Sequence, residues 1–228
     1  MKILAIDTSA LTATAAILSE DMLIAEVSTT TKLTHSQTIM PMIDELLKKV
    51  SLDITDIDLF ACSEGPGSFT GLRIGIGTIK GLAYGLGKPV VGVSTLEALA
   101  HNIDVTDLII CPIMDARRGQ VYNGLYRYND DRLTCIEEPH ALSIDELCKE
   151  LTKKTIFVGD GVNVHKEKIK ELLGDKAVFA SPQNLLQRAG SVAYAALNKE
   201  AVSAEDLTAV YLRKPQAERE REERNEQI

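Results

Sequence analysis

Residues 63–89, which read SEGPGSFTGLRIGIGTIKGLAYGLGKP, hold eight of the fifteen glycines of this 228-residue chain. The stretch starts at the end of a strand-like apolar run, IDLFAC, and then keeps an apolar period typical of a helix. We predict a helix from about Thr70 to Leu86, with Ser68 as its N-cap and Gly87 just past its end. Each interior glycine costs a helix about 1 kcal/mol relative to alanine, so a close neighbour must compensate for this composition.

A glycine-rich turn in front of a helix often binds phosphate, but this sequence matches no phosphate-binding pattern. No register supplies G-x-x-x-x-G-K-[ST], and G-x-G-x-x-G fails at its third glycine, where Thr70 or Lys80 stands. The nucleophile elbow G-x-S-x-G is also absent. The spacing therefore favours a purely structural turn at residues 65–68 and leaves anion binding there as the weaker alternative.

The glycines of this stretch fall into two series with a spacing of four residues. The first series is Gly67, Gly71 and Gly75, and the second is Gly77, Gly81 and Gly85. Residues four apart lie on one face of a helix, so each series forms a small-residue face that lets a second helix come close. Spacing alone leaves two interpretations open, which are packing inside the subunit and contact with another subunit.

The rest of the chain predicts an α/β protein with two halves. Three apolar runs, KILAID, TATAAILS and MLIAEVST, predict strands at the start, and THSQTIMPMIDELLKKV keeps a helical period after them. The second half begins with the strand DLIICPIMDA and its hairpin partner GQVYNGLYRY, and we predict LTAVYL as its last strand. We therefore expect a first domain over 1–103, a second over 104–215 and a solvated, charged tail over 216–228.

Composition limits the partners that we expect. The formal charge of −8 and the aromatic content of 4% disfavour unaided binding to nucleic acid. The four cysteines, at positions 62, 111, 135 and 148, form no C-x-x-C pair, so we expect reduced thiols and a cytoplasmic location. No run approaches 18 apolar residues, and the N-terminus lacks the pattern of a signal peptide, so we expect no membrane association.

Metal chemistry receives little support from the sequence. The four histidines are scattered, with no H-x-x-x-H or H-E-x-x-H pair. Asp7 and Asp115 are more suggestive, because each ends the first strand of its half, where two-lobed phosphotransferases hold a metal-bound nucleotide. Each carboxylate can also cap its own turn, and this interpretation is the stronger one on spacing alone.

Several longer segments of the chain resemble the TsaB (YeaZ) family, whose members are partner subunits in bacterial tRNA threonylcarbamoyladenosine synthesis. The resemblance rests on ILAIDTS, HSQTIMPMIDELL, the glycine-rich block continued through VSTLEALA, MDARRGQVY and VYLRKPQAE, and it covers nearly the whole chain. It implies an α/β fold of two lobes, each a mixed sheet with flanking helices. This is the actin, sugar kinase and Hsp70-like fold (ASKHA, ribonuclease H-like).

The resemblance also implies a noncatalytic role without a cofactor. In the catalytic relative TsaD, two histidines in a segment G-V-N-H-L-E-G-H hold the metal. Thr95 and Leu99 stand in their places here, and neither side chain can replace an imidazole ligand. We therefore expect no catalytic and no metal-binding residue. The candidates for a degenerate nucleotide cleft are Asp7, Thr8, Ser9 and Asp115.

The implied function is support of threonylcarbamoyl transfer to N6 of the adenosine next to the anticodon, in tRNAs that read codons beginning with A. The implied partners are a TsaD-type catalytic subunit in a heterodimer, a TsaE-type ATPase in a larger complex, and a second copy of this chain when it is alone. Binding to tRNA is expected only through the complex. The residues expected at the partner interface are His35, Met42, Leu46, Gly71, Ile74, Gly75, Thr78 and Leu82. The alternative is an enzyme acting alone, either a metallopeptidase or a small-molecule phosphotransferase of the same fold.

Overall fold

The computed structural model describes residues 1–20, 22–31 and 33–213. The first lobe is a five-stranded mixed sheet with the strand order β3-β2-β1-β4-β5. Its elements are β1 (Lys2–Asp7), β2 (Thr12–Ser19), β3 (Met22–Thr30), α1 (His35–Lys49), β4 (Leu59–Gly65), α2 (Phe69–Leu86), β5 (Val90–Ser94) and α3 (Thr95–Ala100). Strands β1, β2 and β3 are antiparallel, whereas β4 and β5 continue the sheet in parallel on the other side of β1.

The second lobe repeats this arrangement, with the strand order β10-β9-β6-β7-β8. Its elements are β6 (Ile109–Arg117), β7 (Gln120–Asn129), β8 (Arg132–Ser143), α4 (Ile144–Glu150), β9 (Thr155–Val158), α5 (Gly161–Leu173) and β10 (Ala177–Phe179). Again three antiparallel strands are extended by two parallel ones. Two lobes with the same strand order are what the implied fold class requires. Among the helices of the described ranges, none is both long and apolar enough to cross a membrane.

The two faces of the first sheet carry different helices. Leu4 and Ile6 of β1 point into a core shared with α1 and α2, while Ile3 and Ala5 point into a core on the opposite face. This opposite core is closed by α6 (Ala189–Ala196), a helix that follows the second lobe in sequence. Residues between 189 and 209 therefore pack on the first lobe, whereas we expected a second domain running from 104 to 215. The predicted tail over 216–228 lies outside the described residues.

Local signals set the ends of the two long helices of the first lobe. Thr34 caps α1 in a capping box with Gln37. The Ser68 hydroxyl accepts a bond from the Gly71 N–H at 3.2 Å at the start of α2. Gly87 ends α2 with a φ of +62°, a left-handed conformation that favours glycine. The predicted cap and end of the glycine-rich helix are confirmed.

The structure of the second half differs from the prediction in two places. The strand β8 was not predicted, although it is the longest strand of the second sheet. The segment LTAVYL, predicted as a strand, is irregular in the structure, and its Val210 N–H donates to the Glu64 carbonyl at 2.7 Å. Its apolar pattern reflects packing against the first lobe and the cleft instead of membership of a sheet.

Candidate functional site

A cleft of about 560 Å³ lies between the two lobes. The first lobe contributes the turn after β1 and the N-terminus of α2, through Ser9 and Ser68. The second lobe contributes the end of β6 and the start of α5, through Asp115 and Asp160. Strand ends and helix starts meet here because each lobe begins with a strand whose carboxyl end points toward the other lobe. Of the four residues expected at a degenerate nucleotide cleft, Ser9 and Asp115 line this cleft.

Asp7 lies behind this cleft, and its carboxylate bonds to its own chain. One oxygen accepts from both the N–H and the hydroxyl of Ser9, at 2.7 Å each, and the other accepts from the Ser63 hydroxyl. Asp7 is only 1% exposed, and this burial raises its pKa, while the bonds from Ser63 and Ser9 oppose the rise. Asp7 therefore caps the turn after β1, as the interpretation favoured by the sequence predicted.

Asp115 does line the cleft, from the second lobe. Its Oδ1 accepts from the Arg117 N–H at 3.0 Å, and its Oδ2 lies 3.5 Å from the Arg117 guanidinium. The side chain of Asp115 is 16% exposed. Asp115 thus also caps its own turn, but it keeps a carboxylate edge toward the cleft. Thr8 is buried, and its hydroxyl donates to the Gly71 carbonyl at 2.8 Å, so Thr8 joins β1 to α2 instead of facing the cleft.

The start of α5 adds two titratable groups that sequence reasoning missed. Burial raises the pKa of Asp160 to about 6, and the nearby charges of Asp115 and Asp7 act in the same direction. His165 Nε2 lies 3.9 Å from Asp115 Oδ1, too far for a hydrogen bond, and burial lowers the His165 pKa. The signal available in the sequence was GDG directly after a strand, which places an aspartate at a helix start.

The first glycine series of α2 packs inside the subunit. A β-carbon at Gly71 would overlap the Thr8 carbonyl oxygen, and one at Gly75 would overlap the Thr8 hydroxyl. Both glycines are buried. The expectation that Gly71 and Gly75 contact a partner is therefore corrected, because the turn after β1 already covers them.

The α1 residues expected at the interface are also covered by their own chain. Met42 is 8% exposed and Leu46 is 3% exposed, and Leu46 belongs to the core between α1, α2 and the first sheet. The helical period that singled out these residues marks the face turned toward the core of the subunit. His35 is half-buried, with Nε2 2.7 Å from the Ala10 carbonyl oxygen, so it fixes the turn after β1.

The outer side of α2 is open to solvent. A β-carbon at any glycine of the second series would meet no atom within 4 Å. The half-buried α2 residues expected at the interface, Ile74, Thr78 and Leu82, lie on the same side. A rotation of 100° per residue places them and the three glycines within one arc of the helix. We call this surface the outer α2 face, which consists of Ile74, Gly77, Thr78, Gly81, Leu82 and Gly85. Tyr84, 71% exposed, stands at its edge.

Comparison with known proteins identifies close sequence relatives. The sequence model of a family described as TsaD, tRNA N6-adenosine threonylcarbamoyltransferase, matches residues 23–220. The Bacillus subtilis (strain 168) tRNA threonylcarbamoyladenosine biosynthesis protein TsaB is 39% identical over 221 residues, which cover 96% of each chain. The Escherichia coli (strain K12) protein of the same name is 34% identical over 168 residues, which cover 71% of this chain and 72% of the relative.

Solved structures agree with these relatives. YeaZ from Pseudomonas aeruginosa superposes with a TM-score of 0.77 at 26% identity, covering 92% of this chain and 99% of that one. An activator of 2-hydroxyisocaproyl-CoA dehydratase from Clostridium difficile superposes with a TM-score of 0.50 at 12% identity, covering 87% and 95%, and shows the shared fold alone. The predicted ASKHA fold class is confirmed. Because one relative matches nearly end to end and one solved structure matches over nearly its whole length, the chain belongs to the TsaB (YeaZ) family.

Proposed function

We propose that this chain takes part in the biosynthesis of threonylcarbamoyladenosine in tRNA, as a noncatalytic partner subunit. In this role it is required for threonylcarbamoyl transfer to N6 of the adenosine next to the anticodon, in tRNAs that read codons beginning with A. The names of the Bacillus subtilis and Escherichia coli relatives and the description of the matching family support the pathway. The proposed partners are a TsaD-type catalytic subunit and a TsaE-type ATPase in the cytoplasm.

The chemistry at Thr95 and Leu99 carries the noncatalytic part of the proposal. Both residues lie on α3, with exposures of 0% and 1%, and Leu99 packs in the core between α3 and the second sheet. A threonine hydroxyl and a leucine side chain offer no imidazole nitrogen where the resemblance places the metal-binding histidines of TsaD. Asp7, the strand-end carboxylate of the first lobe, accepts three bonds from Ser9 and Ser63 and serves the turn.

The outer α2 face is the surface that we propose for the TsaD-type subunit. Its three glycines leave room for a facing helix, and the shortest separations between helix axes, about 8 Å, need such small side chains. Ile74 and Leu82 flank the glycines and supply apolar contact area, and the exposed ring of Tyr84 extends it. We propose that a second copy of this chain occupies the same face when the catalytic subunit is absent.

Depletion of this chain in its own cells tests the proposed pathway. Nucleosides from total tRNA are separated by chromatography, and the amount of threonylcarbamoyladenosine is measured by mass spectrometry before and after depletion. Loss of threonylcarbamoyladenosine, restored by the wild-type chain, is the expected result. An unchanged level of threonylcarbamoyladenosine after depletion would contradict the proposal and favour the alternative of an enzyme acting alone.

A further inference from the structure

The last described residues, 205–213, form a strap that runs along the first lobe to the cleft. We call this segment the C-terminal strap. Lys80 of α2 anchors its beginning, because the Lys80 ammonium donates to the carbonyls of Glu205 and Leu207 at 2.9 and 3.0 Å. The strap is therefore held by its backbone, in a position set by a helix of the first lobe.

The middle of the strap lies directly on the end of β4. The Val210 N–H donates to the Glu64 carbonyl at 2.7 Å. The neighbouring Gly65 has a φ of +133°, and a β-carbon there would overlap the Val210 carbonyl oxygen. Only glycine combines this backbone conformation with so close an approach, so the sequence of the β4 end is fitted to the strap.

Aromatic and cationic groups fix the strap beside the N-terminus of α2. The Tyr211 ring lies 4.8 Å from the Phe69 ring, and Arg73 stands over Phe69 at 3.9 Å. Arg73 also donates from Nε to the Tyr211 hydroxyl at 3.3 Å. These three side chains make a stacked contact that belongs entirely to the first lobe.

The end of the strap reaches the second lobe. The Arg213 guanidinium donates from Nη1 to the Ala116 carbonyl at 3.1 Å, at the end of β6. Residues 210–213 line the same cleft as Ser9 and Asp115. A segment anchored on α2 and β4 thus crosses the cleft and binds the opposite wall.

Besides the strap, the lobes are joined by the apolar core in which Leu96 and Leu99 of α3 pack on the second sheet, and by two chain crossings, before β6 and before α6. Asn102 ties these crossings together, because its amide donates to the carbonyls of Asn184 and Leu186 at 3.0 and 2.7 Å, and its oxygen accepts from Ser191 at 2.7 Å. A hinge formed by α3 and the two tied crossings would let the lobes rotate. We propose that the C-terminal strap is a latch that holds the two lobes closed and restricts entry to the cleft between Ser9 and Asp115.

Hydrogen–deuterium exchange of the full chain tests the latch. Arg213→Ala removes the bond to Ala116 and leaves the first-lobe contacts of the strap intact. We expect exchange in residues 8–11 and 115–119, on both walls of the cleft, to become about fivefold faster, the factor for loss of one hydrogen bond. Strands β2 and β7 should exchange as in the wild type. Arg132→Ala, which removes an exposed arginine at the start of β8 on the second lobe, is the matched control.

A second variant separates a latch from simple packing. Tyr211→Ala breaks the contact at the first-lobe end, and it should speed exchange at the same two cleft walls. Arg213→Lys, which keeps a donor, should restore part of the protection. Faster exchange confined to the strap would overturn the proposal, because the strap would then be a packed terminus without influence on the lobes. Faster exchange throughout the chain with a lower melting temperature would overturn it too, because the strap would then be part of the core.

Discussion

At the scale of single residues, the two glycine series of α2 have opposite surroundings. A β-carbon at Gly71 would overlap the backbone oxygen of Thr8, whereas one at Gly81 would meet no atom within 4 Å. We expect Gly71→Ala to lower the free energy of unfolding by about 1–3 kcal/mol, the usual cost of overpacking. Gly81→Ala should raise it by about 1 kcal/mol, because alanine is the better helix former.

Urea unfolding of the two alanine variants and the wild type, followed by circular dichroism, measures this difference. The two substitutions add the same methyl group to the same helix, so each is the control for the other. Equal shifts in the unfolding midpoint for Gly71→Ala and Gly81→Ala would contradict the assignment of an inner and an outer face to α2.

The half-buried Asp160 makes stability depend on pH. Its pKa is raised by burial from 3.8 to about 6, so the native state keeps this proton to higher pH than the unfolded chain does. The contribution of this group to stability is complete below about pH 4 and is lost as the pH rises through 6. At 1.36 kcal/mol per pH unit, the loss is about 3 kcal/mol.

Asp160→Asn removes the titration and keeps the shape of the side chain. We expect its free energy of unfolding, measured in urea at pH 4 and at pH 7.5, to fall less with rising pH than that of the wild type. Glu171→Gln, at an exposed position of α5, controls for the loss of one negative charge. An identical pH dependence for Asp160→Asn and the wild type would show that the Asp160 carboxyl is not destabilised when charged.

At the scale of helices and strands, the sequence predicted elements whose signals are local. Ser68 and Gly87 bracket α2 because capping depends on a few neighbouring residues. The apolar pattern of LTAVYL predicted a strand, but the pattern does not say what the segment packs against. In the structure the Lys80 ammonium of α2 donates to the Leu207 carbonyl, at the start of this segment. In a sheet, a neighbouring strand would bind that carbonyl instead. The return of α6 to the first sheet was equally beyond a local signal.

The same limit explains the predicted interface on α1. A helical period of apolar residues such as Met42 and Leu46 identifies a buried face, but it does not say whether the subunit or a partner buries it. The structure assigns that face to the core of the subunit. The glycine spacing left the same two interpretations open, and tertiary contacts with Thr8 separate the first series from the second.

The outer α2 face gives a prediction at the scale of the helix. Gly81→Leu places a large side chain where no atom lies within 4 Å, so the monomer should keep its melting temperature. A leucine there should prevent a facing helix from approaching closely, and both the homodimer and the complex with the TsaD-type subunit should be lost. Light scattering after size exclusion measures both masses.

Gly81→Ala is the matched control, since a methyl group costs much less separation between helices than a leucine side chain. We expect this variant to keep the dimer and the complex at somewhat reduced affinity. Full complex formation by Gly81→Leu would contradict the proposed surface, and an early melting temperature would show that Gly81 serves the subunit core.

At the scale of the whole molecule, two lobes with the same strand order enclose a cleft whose strand-end aspartates bond to their own turns. Among the four predicted cleft residues, Ser9 and Asp115 line the cleft, and each lies where the first strand of its lobe ends, which is a position that the sequence indicates. The roles of Asp160 and His165 could not, because burial and the distance to Asp115 depend on how the lobes pack. Long sequence motifs predicted the family, whereas the spacing of a few residues alone did not identify it.

The most direct test of the central proposal is a reconstituted reaction with unmodified tRNA, a threonylcarbamoyl donor, a TsaD-type subunit and a TsaE-type ATPase. Threonylcarbamoyladenosine is measured by mass spectrometry of the digested tRNA, with this chain present, omitted, or supplied as the only protein. We expect product only when this chain accompanies the other two proteins. Product from this chain alone, or equal product when it is omitted, would contradict a noncatalytic subunit that the transfer requires.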